Sequence, residues 1–145
     1  MPTRIEIPNT ARPTRLLHTM LRVTDLERSI DFYTRLLGMR LLRQERYPDG
    51  QFTLAFLGYG HESDHTVIEL THNWGGHTYE LGNAYGHIAL AASDIHATCA
   101  HLESAGVNVV RQPGPMSVTT PDRQDAEHIA FITDPDGYRI ELIQH

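Results

Sequence analysis

The sequence contains no lysine, so its basic character comes entirely from 12 arginines and from histidine. Together with 18 acidic residues, this gives a formal net charge of −6 with histidine neutral. A chain with that balance lacks the basic field that attracts nucleic acid, and we expect no nucleic-acid partner. Nine of the arginines lie at or before Arg46, a skew that fits either compositional drift or an anionic small-molecule partner.

Cysteine and long apolar runs are also scarce. Cys99 is the single cysteine, which excludes an internal disulfide and favours a reducing compartment. No apolar run approaches the length of a membrane span, and the N-terminal stretch lacks the apolar core of a signal peptide. We therefore expect a cytoplasmic protein with no membrane partner, and we assign Cys99 to the buried face of a helix rather than to catalysis.

The sequence does contain an internal repeat. At 145 residues the chain is long enough for one domain with a sizeable core. Residues 1–15 hold several helix and strand breakers and little periodicity, which predicts an N-terminal arm. The hydrophobic pattern then indicates a strand, a helix and three strands over 16–74, and the same order again over 85–145. The predicted fold is α+β, with two tandem βαβββ units.

Local signals predict the boundaries of several elements. Thr24 and Glu27 form a capping-box pattern at the start of the first helix, and Gly38 is placed to end it. A strand over Tyr85–Ala91 is predicted to carry His87. The span Gln112–Glu127 is predicted to be a long loop that is either a lid or disordered.

Each unit places one carboxylate inside an apolar strand, in the repeated tripeptide Ile-Glu-Leu, at Glu69 and at Glu141. A buried carboxylate is costly unless it is paired, hydrogen-bonded or bound to a metal. Each unit also has a histidine on its first strand, His18 lying 51 positions before Glu69 and His87 lying 54 before Glu141. These four side chains suit one first-row divalent ion, held within one chain or between chains. Two separate His–Glu hydrogen bonds are the alternative.

From about Leu16 to the C-terminus the sequence resembles glyoxalase I, the lactoylglutathione lyase family of the vicinal-oxygen-chelate superfamily. Two sequences, Glu-Leu-Thr-His-Asn-Trp and Tyr-Gly-His-Ile-Ala-Leu, are specific at the level of this family, whereas the repeat alone is shared across the superfamily. The blocks that carry the resemblance are Leu17–Val23, Ser29–Tyr33, Leu36–Met39, Ile68–Trp74, Tyr85–Ala89 and Asp134–Tyr138.

The resemblance implies isomerisation of the hemithioacetal of methylglyoxal and glutathione to S-D-lactoylglutathione, with one divalent metal per site. It implies His18, Glu69, His87 and Glu141 as the metal ligands. In this family the site lies at a homodimer interface, and each subunit gives one His–Glu pair. By resemblance Glu141 is the expected base, and Glu69 serves the other hemithioacetal diastereomer.

The resemblance also places Arg22 and Asn73 at the γ-glutamyl carboxylate of glutathione. They follow His18 and Glu69 by four positions each, which keeps them on the same faces of their strands. The segment between Gly75 and Tyr85 is short, as in the bacterial enzymes that prefer nickel or cobalt. Nickel is therefore expected, with cobalt or zinc as alternatives.

The loop 112–127 departs from the family pattern. Relatives often offer lysine and glycine there to the glycyl carboxylate of glutathione, and this chain has no lysine. Arg111 or Arg123 could take that role. Asn83 occupies the position where some relatives have a second carboxylate-binding arginine. Another low-molecular thiol is thus an alternative to glutathione.

Two other functions are compatible with the repeat. One is a different metal-dependent enzyme of the superfamily, such as an epimerase or an extradiol dioxygenase. Dioxygenases use two histidines and one carboxylate, so the presence of both Glu69 and Glu141 argues against that reading. The other is a metal-free module that binds a small molecule, and such modules lose the ligand set that this chain retains.

Overall fold

A computed structural model describes all 145 residues. The first unit consists of β1 (His18–Arg22), α1 (Leu26–Asp31) with a following π-helical turn (Phe32–Leu36), β2 (Arg40–Tyr47), β3 (Phe52–Gly58) and β4 (Val67–Asn73). The second consists of β5 (Ile88–Ala92), α2 (Ile95–Ser104), β6 (Val109–Pro115), β7 (His128–Thr133) and β8 (Arg139–Gln144).

Each unit forms its own four-stranded mixed sheet, in the orders β1-β4-β3-β2 and β5-β8-β7-β6. The first and last strands of each unit are parallel neighbours, and the other pairings are antiparallel. This confirms the predicted α+β fold with two βαβββ units. Neither α-helix, at 6 and 10 residues, has the length and apolarity needed to span a membrane.

The capping residue of the first helix differs from the prediction. Asp25, not Thr24, is the N-cap, and its carboxylate accepts a hydrogen bond from the backbone N–H of Arg28 at 3.1 Å. Thr24 is unavailable because both its N–H and its hydroxyl donate to Asp136 in the second unit. The second helix is capped by Asp94 in the same way as the first by Asp25.

Two predicted boundaries in the second unit also shift. Strand β5 begins at Ile88, so His87 lies immediately before the strand rather than within it. Strand β6 continues to Pro115, so the irregular segment starts at residue 116 rather than at Gln112. The pairing of β6 with β7 is interrupted on both sides of Arg111 by register shifts, which is why the pattern did not read as a strand.

The core lies on one face of each sheet. Because side chains alternate along β1, β4 and β8, Leu21, Leu70 and Leu142 point to the core face. They belong to a single cluster of 18 buried residues drawn from both units. Cys99 on α2 belongs to this cluster and is 2 % exposed, and burial raises the pKa of its thiol. The opposite face of each sheet carries the histidines and glutamates of interest.

A buried polar contact joins the two units. The Tyr33 hydroxyl donates to Asp134 Oδ2 at 2.8 Å. Asp134 Oδ1 accepts the backbone N–H groups of Asp136 and Tyr138, which shapes the turn before β8. Burial raises the pKa of Asp134 and, more strongly, that of Tyr33. The turn is therefore held to the helical segment of the first unit by Asp134, together with Asp136, which accepts from the Ser29 hydroxyl at 3.3 Å.

We expect Asp134→Asn to be tolerated, because an amide still accepts from the turn and can donate to the Tyr33 oxygen. We expect Asp134→Ala to lower the free energy of unfolding by about 2–3 kcal/mol, since it leaves one buried and two part-buried donors unpaired. Urea unfolding of the two variants against wild type measures both effects.

Wild type and Asp134→Asn together also test the direction of the Asp134 pKa shift. A folded-state pKa raised above the unfolded value of about 3.9 means that ionisation of Asp134 costs stability. That stability is fully present below the unfolded pKa and is lost as the pH rises through the folded pKa. The unfolding free energy of wild type minus that of Asp134→Asn should therefore fall from about pH 3 to pH 7. A difference that stays constant over this range would contradict the assignment.

Candidate functional site

The first His–Glu pair lies on the free face of the first sheet. Strands β1 and β4 are parallel neighbours, with Met20 opposite Glu69 and His18 opposite Val67. This stagger brings His18 Nε2 to 2.8 Å from Glu69 Oε2. The Glu69 side chain is 13 % exposed and that of His18 is 36 % exposed, so a ligand can approach from the imidazole side.

The second pair repeats this arrangement. Glu141 lies opposite Ala89 in the parallel pairing of β8 with β5, and His87 stands two positions before Ala89. His87 Nε2 is 3.3 Å from Glu141 Oε1, and the two side chains are 40 % and 15 % exposed. The contact is 0.5 Å longer than in the first unit, so Glu141 is the more loosely held of the two carboxylates.

A phenylalanine and an arginine support each histidine. The Phe56 ring meets His18 edge to face at 5.6 Å, and the Arg43 guanidinium lies 3.5 Å over Phe56. In the second unit Phe131 meets His87 at 5.2 Å, and a guanidinium lies 4.7 Å over that ring. That guanidinium belongs to Arg139.

These four residues were not predicted from the sequence, although one signal for them is present there. The third strands of the two units carry Leu-Ala-Phe-Leu over 54–57 and Ile-Ala-Phe-Ile over 129–132. The two phenylalanines occupy the same place in this repeat, and each lies opposite the glutamate of its own sheet, Phe56 opposite Glu69 and Phe131 opposite Glu141.

The two arginines differ in their acidic partners. Arg43 binds Glu62 through Nε and Nη2, at 2.8 and 3.0 Å, and also contacts Glu45. The Arg43 guanidinium lowers the pKa of Glu62 and is itself held protonated by that carboxylate. Arg139 makes no ion pair anywhere in the chain.

The two His–Glu pairs do not meet within one chain. No group of three or more metal-binding side chains comes together anywhere in the 145 residues. The spacing alone left a site within one chain open, and this structure does not form one. Each pair offers one imidazole nitrogen and one carboxylate oxygen at contact distance on an accessible face, which is half of the donor set that a four-ligand divalent site would need.

Arg22 and Tyr79 line a cavity of about 430 Å³ at the end of β1, with walls from both units. Asn73 is tied to this cavity, because its amide donates to the Tyr79 hydroxyl at 3.0 Å. The carbonyl of Arg22 accepts from the Tyr138 hydroxyl at 2.8 Å, which fixes the strand end, while its side chain stays exposed.

The arginines of the β6–β7 region are already engaged. Arg111 donates to the carbonyls of Gly114, Ile129 and Pro115 at 2.9, 2.8 and 2.6 Å, so it binds the backbone where the register shifts. Arg123 pairs with Glu127 at 2.7 Å. These contacts remove the support for either guanidinium as the replacement for a loop lysine.

The family model for the Glyoxalase/Bleomycin resistance protein/Dioxygenase superfamily matches residues 15–142. The chain belongs to this superfamily. The match includes all four residues of the His–Glu pairs, and it leaves out residues 1–14 and the last three residues of the chain, which include the end of β8.

Within the superfamily, the similar curated proteins are lactoylglutathione lyases. A probable lactoylglutathione lyase from Synechocystis is 57 % identical over 129 residues, which span 89 % of this chain and 94 % of that protein. The lactoylglutathione lyase of Neisseria meningitidis is 57 % identical over 90 % of both chains. That of Escherichia coli O157:H7 is 55 % identical over 90 % of this chain and 92 % of its own.

Solved structures of the superfamily share the fold. Glyoxalase I from Zea mays is 42 % identical with a TM-score of 0.82, over 90 % of this chain and 44 % of the maize chain. The trypanothione-dependent glyoxalase I of Leishmania major is 44 % identical with a TM-score of 0.76, over 90 % and 86 %. An antibiotic-binding protein from Streptomyces, TnmS3, is 25 % identical with a TM-score of 0.63.

Proposed function

We propose that this protein is a glyoxalase I whose metal is held by His18 and Glu69 together with His87 and Glu141. The reaction is the isomerisation of the hemithioacetal of methylglyoxal and glutathione to S-D-lactoylglutathione, which detoxifies methylglyoxal. The relationship to lactoylglutathione lyases at 52–57 % identity over about nine tenths of the chain carries this conclusion. As a glyoxalase I the protein is a metal-dependent carbon–sulfur lyase.

The donor set fits a divalent metal. Both pairs have an imidazole nitrogen and a carboxylate oxygen within 3.3 Å of one another and open to solvent on the imidazole side. When bound, a divalent ion supplies Lewis-acid stabilisation of the negative charge that develops on the substrate oxygens. A metal-free binding module would not need two matched His–Glu pairs, so these pairs favour an enzyme over an antibiotic-binding function like that of TnmS3.

The proton transfer is assigned to a carboxylate. The C–H to be broken lies next to a carbonyl and is weakly acidic, so a carboxylate beside it removes the proton and returns it to the neighbouring carbon. Glu141 is the proposed base, an assignment that rests on the resemblance to glyoxalase I. Glu69 then serves chiefly as a ligand and as the base for the other diastereomer.

The separation of the pairs calls for a second chain. Because one chain does not bring the four ligands together, we propose a homodimer in which the first unit of each subunit faces the second unit of the other. Two equivalent sites result, each with one His–Glu pair from each subunit.

The metal and the thiol are the finer parts of the proposal. The short segment between Gly75 and Tyr85 supports nickel, with cobalt or zinc as alternatives. Arg22 and Asn73, linked through the cavity residue Tyr79, are the proposed contacts of the γ-glutamyl carboxylate of glutathione. The single cysteine, buried at Cys99, fits the reducing conditions of the cytoplasm in which glutathione is abundant.

Metal removal tests the function. We expect protein stripped with a chelator to lose hemithioacetal isomerisation, followed at about 240 nm as thioester absorbance, and to regain it most fully with Ni²⁺, then Co²⁺. Zn²⁺ is expected to restore little. Absence of isomerisation with every metal would overturn the proposed function.

Exchange of the two glutamates tests the proton transfer. We expect Glu141→Gln to lower kcat by roughly 10²–10⁴-fold, the usual contribution of a general base, while metal content falls less than in Glu69→Gln. Both variants keep side-chain volume, so metal content measured by plasma emission separates ligand loss from base loss. Full activity of metal-loaded Glu141→Gln would show that another group removes the proton.

Mixing two inactive variants tests the shared site. One chain carries His18→Ala with Glu69→Ala, and the other carries His87→Ala with Glu141→Ala. In a mixed dimer one site keeps all four ligands and the other keeps none. Random re-association should therefore restore about a quarter of wild-type activity. Each variant alone is the control, and no restoration after unfolding and refolding together would contradict the shared site.

A further inference from the structure

Arg139 is a cation without an acidic partner beside the second His–Glu pair. Ile88 of β5 lies opposite Ile140 of β8 in the parallel pairing of these strands. Their preceding residues, His87 and Arg139, are therefore neighbours. Its guanidinium lies 4.7 Å over the Phe131 ring, whose edge meets His87 at 5.2 Å. The side chain is therefore held at the site face of the sheet by a ring that also contacts His87.

The first unit has no arginine at the corresponding position beside its histidine. Val67, 3 % exposed, occupies the position next to His18 that corresponds to Arg139. The arginine that does lie over the first unit's phenylalanine, Arg43, is bound by Glu62 and Glu45. The two units thus agree in their histidine, glutamate and phenylalanine and differ in one uncompensated positive charge beside the histidine.

Arg139 also lines the 430 Å³ cavity that contains Arg22. Neither guanidinium is within 4.0 Å of any carboxylate of the chain, and Glu80, which lines the same cavity, pairs with neither. In the proposed dimer the two arginines of one chain serve different sites, because Arg22 lies on the first unit and Arg139 on the second. Each of them therefore offers an unpaired guanidinium to an anionic group of the substrate at its own site.

We propose that Arg139 binds a carboxylate of the glutathione moiety of the substrate and is a specificity-determining residue of the reaction. This inference rests on the proposed function. A guanidinium binds a carboxylate through two parallel hydrogen bonds. Arg139 precedes Glu141 by two positions on the same face, about 6.5 Å along the strand, which is a distance for holding substrate beside the base rather than for moving its proton.

The other basic side chains of the second unit are not available at the site face. The chain has no lysine. Arg111 and Arg123 are engaged elsewhere. Arg139 is the remaining guanidinium of the second unit, and it is the one at the site face.

Substrate analogues identify which of the two carboxylates is bound. The test compares wild type, Arg139→Met and Arg139→Lys on three hemithioacetals of methylglyoxal, formed with glutathione, with its glycyl ethyl ester, and with N-acetylcysteinylglycine. The ester lacks the glycyl charge, and the last thiol lacks the γ-glutamyl carboxylate. Arg35→Met is the matched control, because Arg35 pairs with Asp31 on an exposed helical face away from both sheets.

We expect Arg139→Met to raise KM for the glutathione adduct about tenfold, as loss of a charged hydrogen bond does, with kcat nearly unchanged and Arg139→Lys intermediate. The increase in KM caused by Arg139→Met should vanish for one of the two analogues. The carboxylate that this analogue lacks is then the one that Arg139 binds. Equal losses on all three substrates, or no loss on any, would overturn the proposal.

Binding of S-hexylglutathione by calorimetry, to metal-loaded and to chelator-stripped protein, separates this proposal from the proposed function. The wild-type protein could fail to isomerise with any metal and still bind S-hexylglutathione more tightly than Arg139→Met. That result would overturn the proposed function and support the contact between Arg139 and a carboxylate. The wild-type protein could isomerise the glutathione adduct while Arg139→Met behaves like wild type in both assays. That result would support the proposed function and overturn the proposed role of Arg139. A wild type that binds no glutathione conjugate overturns both.

Discussion

Successive side chains of a β-strand point to opposite faces of the sheet, and this constraint determines where the two His–Glu pairs of this protein lie. The buried leucines and isoleucines of β1, β4 and β8 lie on the faces that contribute to the common core, at Leu21, Ile68, Leu70, Ile140 and Leu142. The alternating positions, which include both glutamates, must then lie on the outer faces. The two His–Glu pairs therefore lie outside the core, and they do not come together within one chain. The chain can build two half-sites but cannot close either of them alone.

The contact between Tyr33 and Asp134 keeps the two half-sites in a defined relation. The turn held by Asp134 leads directly into β8, the strand that carries Arg139 and Glu141. Thr24, at the end of β1, is bound by Asp136 of the same turn. One polar cluster thus fixes the start of the strand with the proposed base and the end of the strand with His18. A change in this cluster shifts residues of both units together.

Much of this arrangement could be predicted from the sequence because it depends on local periodicity and on duplication. The repeated Ile-Glu-Leu and the spacing from each histidine to its glutamate predicted the fold and the pairs that the structure brings into contact. Long-range pairing could not be predicted in this way. Thr24 has the pattern of an N-cap, yet it is bound by a carboxylate 112 positions away. Arg43 and Arg139 look alike in the sequence, and only the fold shows that one is neutralised and the other is free.

The bound metal in the proposed dimer also stabilises the association of the two subunits. When half of the ligands come from each chain, metal affinity and subunit affinity are linked, and each must strengthen the other by the same factor. Dilution then weakens metal retention, and a chelator promotes dissociation into monomers whose outer sheet faces are bare. Metal supply would in this way regulate the quaternary structure of the protein as well as its catalytic competence.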